Sequence, residues 1–582
     1  MVRCVFRWVP MYEMSFDEKT MLCACCSPES VTSKSVSPVM LGGHYGLTDA
    51  VEIQVKSESE YLRGMAENSQ VHLTRPLDNL VTELHDFLGL GHPSLSFVPV
   101  LPRFIRSMSE DIQEEDMEYL EFKGVFRVPD TILRHELLKA FVESVYPFLP
   151  VLDLESFLLP VISNDGVQTV SLLLFHAVMF SATAFVQLKH LHNAGYETRK
   201  EAREQFYLRA RTFYDFDIEK DRVVLIQALL LMTYWHETPD NPKDSQYWLN
   251  VCWSLGASIG LDCDPSTSPM NPQLQKVWKR LWWCLYTRDT LLALNLRRPL
   301  CYGNDKNRLP LISLEEFNIG CHLPKIIMAL GDCDFLQNVH LQRHLAVGFI
   351  EKAKLSTLIS DILFFRDYQE KKWRQTSRDS CKDRWKEAFQ GLEAWCKELP
   401  VELQYEPLRS EDLGHATKLL HVQRAWIRVI FLATIGTLHR EAGSPRFQGL
   451  SLPRAQYGQV ICEMSSILQD LNQLGLVQYL PTTTVALLVP VLARLVLDFK
   501  ANTGCMGIET FERFYQGMQV LGTLGDVYSS AVTVRRFFEG TLHGGKQGSS
   551  YVSMPSAIRN LLTKKEQDAF ATSELTGVRG NI

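Results

Sequence analysis

The chain has 582 residues, 46% of them hydrophobic, enough to bury a large core and longer than a typical single domain. Lys and Arg number 60 against 67 Asp and Glu, a net charge of -7, so no global attraction to nucleic acid or to an anionic membrane is expected. The 14 cysteines are thinly spread and, beyond the N-terminal region, single, which suits reduced thiols in a nuclear or cytosolic compartment and argues against a disulfide framework.

The opening segment, MVRCVFRWVPMYEM, carries Arg3 and Arg7 but reaches Glu13 before any sustained apolar stretch, so it does not read as a signal peptide. Residues 1–70 are expected to form a flexible leader, because Ser27 to Ser59 is rich in Ser, Thr, Gly and small polar residues. Residues 71–121 are expected to form a partly ordered linker, amphipathic from Val81 and closing on an acidic patch from Ser109 to Glu121. Ile112, Met117, Tyr119 and Leu120 interleave that patch, which reads first as a solvated linker.

From residue 122 to 378 long apolar-periodic segments are separated by Pro, Gly and Asn, with no period-two alternation, and the fold class expected is all-α. Helices are predicted at Ile132–Val145, Val167–Ala194, Arg199–Phe216, Val223–His236, Ser245–Ile259, Pro272–Leu296 and His340–Phe365. Asn271 before Pro272 is an N-cap followed by proline at the first helical position, and Ser313 with Glu316 has the spacing of a capping box. Gly166 to Leu188 carries no formal charge and has the length of a membrane span. Gln168, Thr169, Ser171, His176, Ser181, Thr183 and Gln187 interrupt it, so a buried helix of a large bundle is expected. The second apolar run, Val485 to Phe499, contains Pro490 and Arg494 and is too short to span.

Residues 379–540 read as a further helical half of the same domain, with breaks at Pro400, Pro407, Gly443 to Pro453 and Pro481. Residues 541–582 read as a polar tail. An apolar pocket lined by Val167 to Phe185 and Val223 to Trp235 is the expected receiver for a small molecule, although core packing explains the same residues.

Within the tryptophan-rich helix, Trp278, Leu281, Trp282, Leu285, Asp289, Leu292 and Leu296 recur at spacings of three and four and share one face. Asp289 therefore lies on the apolar stripe and must find a partner, since an unpaired buried charge is expensive. Arg288, Arg297 and Arg298 are the nearest candidates, and the expectation is an ion pair that closes the helix end.

The wording of this helix, KRLWWCLYTRDTLLALNLRRPLCY, resembles the signature helix of the regulatory domain, or middle homology region, of fungal binuclear zinc cluster transcription factors. Arg280, Leu281, Trp282, Trp283, Tyr286, Asp289, Arg298 and Pro299 fill the places of that pattern. Thr290 stands where the family usually has Arg, and Arg297 where it usually has Gly. Three more segments resemble the family in the same order. They are the aromatic and proline-rich Phe141 to Phe157, the paired helices from Leu225 to Pro265, and EEFNIGCHLP from Glu315 to Pro324. Weaker echoes occur at Gly391 to Pro400 and at Leu438, His439 and Arg440.

The resemblance implies a nuclear transcription regulator, its regulatory domain at 122–378, controlling a metabolic or catabolic gene set. It also implies a zinc cluster of six cysteines, but the N-terminal cysteines are Cys4, Cys23, Cys25 and Cys26, whose spacing does not reproduce that pattern. Zinc is therefore expected only if a six-cysteine module lies upstream. DNA would be reached through that module or through a DNA-binding partner. Transcription machinery, a small-molecule inducer and a second copy are the other partners expected, and a membrane is not.

No phosphate loop, dinucleotide fingerprint, His-Glu-x-x-His helix or nucleophile elbow is present, and no catalytic, cofactor or metal residue is assigned. His176 and His236 sit in apolar helices and read as satisfied core histidines. Asp262 and Asp264 lie at a helix exit before Pro265 and lack further acidic partners, so a plain loop is expected. The competing function classes are a helical scaffold without a role on DNA and an all-helical enzyme with an apolar cavity.

Overall fold

The computed structural model describes residues 101–108, 112–235, 243–302, 309–321, 323–372, 378–409, 414–442, 454–501, 505–543, 558–559, 562 and 567–568. The leader, the N-terminal cysteines and most of the linker and tail lie outside them, as does His236. Among the described residues every regular element is helical, and strand-like pairing is confined to one isolated bridge between Ile105 and Val170.

The first half is set out by side-chain caps. Asp130 accepts the amides of Ile132 and Leu133 to start the helix at Thr131–Ser144, which follows a short acidic helix at Glu114–Phe122. Asp153 starts Leu154–Ser163, Thr198 starts Arg199–Asp215, and Asp221 starts Arg222–Met232. Asp244 starts Ser245–Ile259, which Gly260 ends in the left-handed conformation at φ 68°. Asn271 and Pro272 open Pro272–Leu296 as expected, and the capping box of Ser313 and Glu316 forms on a single 3-10 turn.

In chain order these helices are α1 (Glu114–Phe122), α2 (Thr131–Ser144), α3 (Leu154–Ser163), α4 (Leu172–Ala182), α5 (Leu188–Asn193), α6 (Arg199–Asp215), α7 (Arg222–Met232), α8 (Ser245–Ile259) and α9 (Pro272–Leu296). The chain continues through α10 (Pro324–Leu330), α11 (Asp334–Gln337), α12 (Val339–Lys372), α13 (Arg378–Glu398), α14 (His415–Ala442), α15 (Arg454–Gln473), α16 (Thr483–Ala501), α17 (Cys505–Gly525) and α18 (Ser529–His543).

One expected helix is corrected. The stretch Val167–Ala194 is two helices, α4 and α5, separated by a turn at residues 183–187. Ser181 and Thr183 donate their hydroxyls back to the carbonyls of Val178 and Phe180, and the Arg199 guanidinium takes the carbonyls of Thr183 and Val186 at 2.7 and 2.6 Å. Those carbonyls are thereby drawn to a side chain of α6, and the helix stops.

Every residue of α4 is buried, and the helix packs on α2, α6 and α7. His176 is a core histidine whose Nε2 lies 2.6 Å from the Val125 carbonyl, and burial lowers its pKa to about 3. Helices α4 and α7 pack on each other, in keeping with core packing as the account of their apolar residues, and the clefts described below are lined by neither.

In the second half α12 packs on α14, α14 on α15, and α17 on α15, α16 and α18. Helix α9 touches both halves, since it meets α7 and α8 on one side and α12 and α16 on the other. Pro400 leads into a 3-10 turn at Val401–Leu403 and Pro481 precedes α16, while Gly443 to Pro453 lies outside the described residues. Pro490 sits inside α16. Ala416–Arg440, within α14, is long and apolar enough to cross a membrane, but 72% of its apolar window is buried inside the protein, as a core helix requires. Two residues of the tail, Ile558 and Leu562, are buried too, so this region is not polar throughout.

Candidate functional site

Helix α9 is the centre of the molecule, buried almost continuously from Val277 to Asn295. Its long polar side chains must therefore meet protein groups. Arg280 donates Nη1 to the carbonyl of Glu316 and Nη2 to that of Leu152 at 3.0 Å, tying α9 to the entry of α3 and to the 3-10 turn at Leu314–Glu316. Arg288 donates Nε to the hydroxyl and Nη2 to the carbonyl of Thr233, both at 2.9 Å, and lies 4.8 Å from the centre of the Tyr234 ring. Trp283 donates its indole N–H to the Pro310 carbonyl at 3.1 Å. Trp253, Trp282 and Tyr302 pack as an aromatic triad, with Trp253 and Tyr302 stacked at 4.6 Å.

Asp289 is buried as expected, but the expected ion pair is corrected. Its carboxylate accepts the backbone amides of Cys301 at 3.1 Å and Tyr302 at 3.2 Å, while Arg288 serves Thr233 and Arg298 pairs with Asp244 at 2.7 Å. The cause is the way α9 ends. Arg297 adopts the left-handed conformation at φ 51°, the chain doubles back, and the loop after Pro299 presents its amides to a side chain two turns earlier. Burial pushes the Asp289 carboxyl up to about 6, and the two amides oppose that rise.

Lys352, on α12, is a charged core residue that sequence reasoning did not single out. Its ammonium donates to the Phe148 carbonyl and lies 4.4 Å from the centre of the Phe349 ring. Burial lowers its pKa to about 7, with Arg288 pushing in the same direction. The Cys284 thiol is driven up to about 12 by burial. These groups hold backbone carbonyls and amides and are sealed from solvent, so they brace the core and present no nucleophile or base to a substrate.

Among the described residues no group of three or more His, Cys, Asp and Glu is arranged to hold a metal ion. Asp264 caps the 3-10 turn at Pro265–Thr267, which makes the Asp262 to Asp264 segment the loop expected of it.

Two clefts open beside this core. The first encloses about 510 Å³ of empty space, its mouth included, between Tyr146, Pro150, Phe317, Phe335 and Leu345. Its polar groups are occupied, since Asp153 accepts from Ser156 and Asn318 and Gln342 bridges Gly320 and Phe335. The second, about 460 Å³, lies between the end of α9 and helices α14, α15 and α16. There Asn295, 4% exposed, has no hydrogen-bond partner at either side-chain atom. Sequence reasoning missed this residue because it lies off the apolar stripe of α9 and the opposing wall is far away in the chain.

The described family model "Fungal specific transcription factor domain" matches residues 138–397, from within α2 to the last turn of α13. The chain is 35% identical over 469 residues to cutinase transcription factor 1 beta of Fusarium vanettenii, covering 76% of this chain and 53% of that protein. It is 27% identical to transcription factor cpaR of Aspergillus oryzae, over 77% of each chain. It is 24% identical to the acetamidase regulatory protein of Aspergillus fumigatus, over 71% of this chain and 49% of that one. The chain thus spans about half the length of two of these three relatives, all of them named as transcription factors or regulators and none as an enzyme. No solved structure matches it. The ordered segments around α9, the all-helical architecture and these relatives agree, and the chain belongs to the fungal regulators that carry the fungal-specific transcription factor domain.

Proposed function

We propose that this chain regulates transcription in the nucleus, with the helical domain built around α9 as the part that governs activity. The observation that carries this reading is the likeness over 469 residues to a relative named as a transcription factor, a longer stretch than the family domain at residues 138–397. The relatives named for cutinase and acetamidase favour a metabolic or catabolic gene set as the target. With a net charge of -7 the chain has no bulk attraction for DNA, so contact with promoters is assigned to a zinc-cluster module or to a DNA-binding partner. The partners proposed are that DNA-binding element, transcription machinery and a small-molecule inducer.

Chromatin immunoprecipitation of the tagged native protein, combined with transcript profiling of a deletion strain, tests this. Enrichment at promoters whose transcripts change on deletion is the expected result. Absence from chromatin in the presence of its partners, with transcripts unchanged, would overturn it in favour of a helical scaffold.

A further inference from the structure

The second cleft combines an apolar wall with polar groups the protein leaves unanswered. Leu294, Leu432, Met464 and Leu487 line it. Asn295 opens onto them with both side-chain atoms unpartnered, although a buried carboxamide ordinarily finds partners.

Arg440 stands in the same lining. Its Nη2 lies 3.3 Å from the Thr437 hydroxyl, and its Nη1 is buried without a partner. Carboxylates on the helices around it are engaged elsewhere: Glu463 holds Arg428 at 2.6 Å, Asp498 holds Arg494 at 2.7 Å, and Asp470 accepts from Tyr405 at 2.7 Å and contacts His421 at 2.9 Å. Among the described residues, the cleft therefore keeps a guanidinium whose charge has no carboxylate against it. Guanidinium groups in such places favour a planar oxyanion, with which they form two parallel hydrogen bonds.

The backbone adds room. Gly436 lies on the α14 wall, and a Cβ there would meet the Tyr457 ring at 3.6 Å and Val460 at 3.9 Å, so the missing side chain leaves its volume to the cleft.

We propose that this cleft binds a small monocarboxylate with an unbranched apolar tail. The carboxylate takes the free Nη1 of Arg440 and the Nδ2 of Asn295, and the tail lies along Leu432, Met464 and Leu487. A single guanidinium selects a monoanion over a phosphate dianion, and the apolar wall selects an alkyl acid over a hydroxylated one. Since α9 ends in this cleft and also reaches α7, α8 and α12, occupancy would act directly on the helix that joins the two halves. Binding does not depend on the transcriptional reading, because it is measured on the purified protein.

Isothermal titration calorimetry and thermal unfolding of the purified full chain, with butyrate and hexanoate as probes and hexanamide and hexanol as neutral counterparts, test the proposal. Hexanoate is expected to bind saturably and raise the melting temperature, and hexanamide to bind roughly tenfold more weakly or worse. Arg440→Met is expected to abolish the preference for the acid, and Gly436→Val to block all the probes by filling the cleft. Asn295→Leu is expected to weaken hexanoate roughly tenfold, and should it fail to fold, the other two variants decide the matter. Absence of saturable acid binding, which would mean a site filled by water only, overturns the proposal. So does equal binding of acid, amide and alcohol, or hexanoate binding left unchanged in both Arg440→Met and Gly436→Val.

Discussion

The carboxylate of Asp289 reaches over the end of its own helix to the backbone amide of Tyr302, 3.2 Å away, and so fastens the loop that follows Pro299 to the centre of the protein. The bond is local in sequence and needs no cation.

This geometry predicts an unusual pH response. Burial raises the Asp289 pKa to about 6 from an ordinary 3.8, so the folded state holds the proton more tightly than the unfolded chain. Acidification from pH 6 towards pH 4 therefore adds stability through this group, up to about 3 kcal/mol, and a rise back through 6 removes it. His176 works against it in part of the same window, since a pKa of about 3 in the fold makes its protonation on acidification destabilising. The wild-type curve alone is thus uninformative. Asp289→Asn, which mimics the protonated acid, is expected to be more stable than wild type at pH 7 and to lose that advantage by pH 4. Urea unfolding at both pH values checks this, and an advantage that does not shrink would show that Asp289 titrates normally.

Arg297 carries the strain of the same turn. It is one of three non-glycine residues with positive φ among those described, and at φ 51° its Cβ crowds the following carbonyl. Arg297→Gly is expected to raise stability by about 1 kcal/mol, net of lost side-chain contacts, while Arg297→Ala, which keeps the Cβ, gives no gain. Thermal unfolding of the two variants side by side makes the comparison.

Helix ends fixed by their own neighbours were legible in the sequence. Asp244 and Gly260 bracket Ser245–Ile259, and Asn271 with Pro272 opens α9, and both helices lie where expected. The break after Ala182 was not legible, because the groups that stop the helix are hydroxyls bonding back to their own helix and Arg199, a residue of a later helix. Burial of Asp289 could be read from its place on the apolar stripe. Its partners could not, since they are backbone amides placed by the left-handed turn at Arg297. The cleft at Asn295 was hidden for a similar reason: α9 supplies one wall, and α14, α15 and α16 supply the rest.

Two glycines in the second half make opposite predictions. A Cβ on Gly348 would lie 2.4 Å from the carboxamide of Gln423, which is 2% exposed and donates to the Leu345 carbonyl at 2.9 Å. Gly348→Ala forces that side chain out of its bond across α12 and α14 and is expected to cost about 2 kcal/mol. Gly436 has ordinary contact distances around it, so Gly436→Ala is expected to be neutral or to stabilise by up to about 1 kcal/mol through helix propensity. The melting temperature is expected to fall in Gly348→Ala and to hold or rise in Gly436→Ala, and a comparable fall in both would contradict the ordinary contact distances around Gly436.

Lys352 gives the last prediction. Burial depresses its pKa from 10.5 to about 7, so the unfolded chain binds this proton more tightly and the group's contribution to stability rises with pH between 7 and 10.5. At neutral pH and below, the fold must keep a buried ammonium whose hydrogen bond goes to the neutral carbonyl of Phe148. Lys352→Met removes the charge, keeps most of the volume and leaves that carbonyl without this donor, a penalty of about 1 to 3 kcal/mol that does not vary with pH. Measured against wild type, the variant is therefore expected to be relatively most stable at pH 6 and to fall behind by more than about 1 kcal/mol on going to pH 9. Chemical denaturation at the two pH values reads the difference directly, and a gap that stays constant would mean that Lys352 keeps its proton throughout this range.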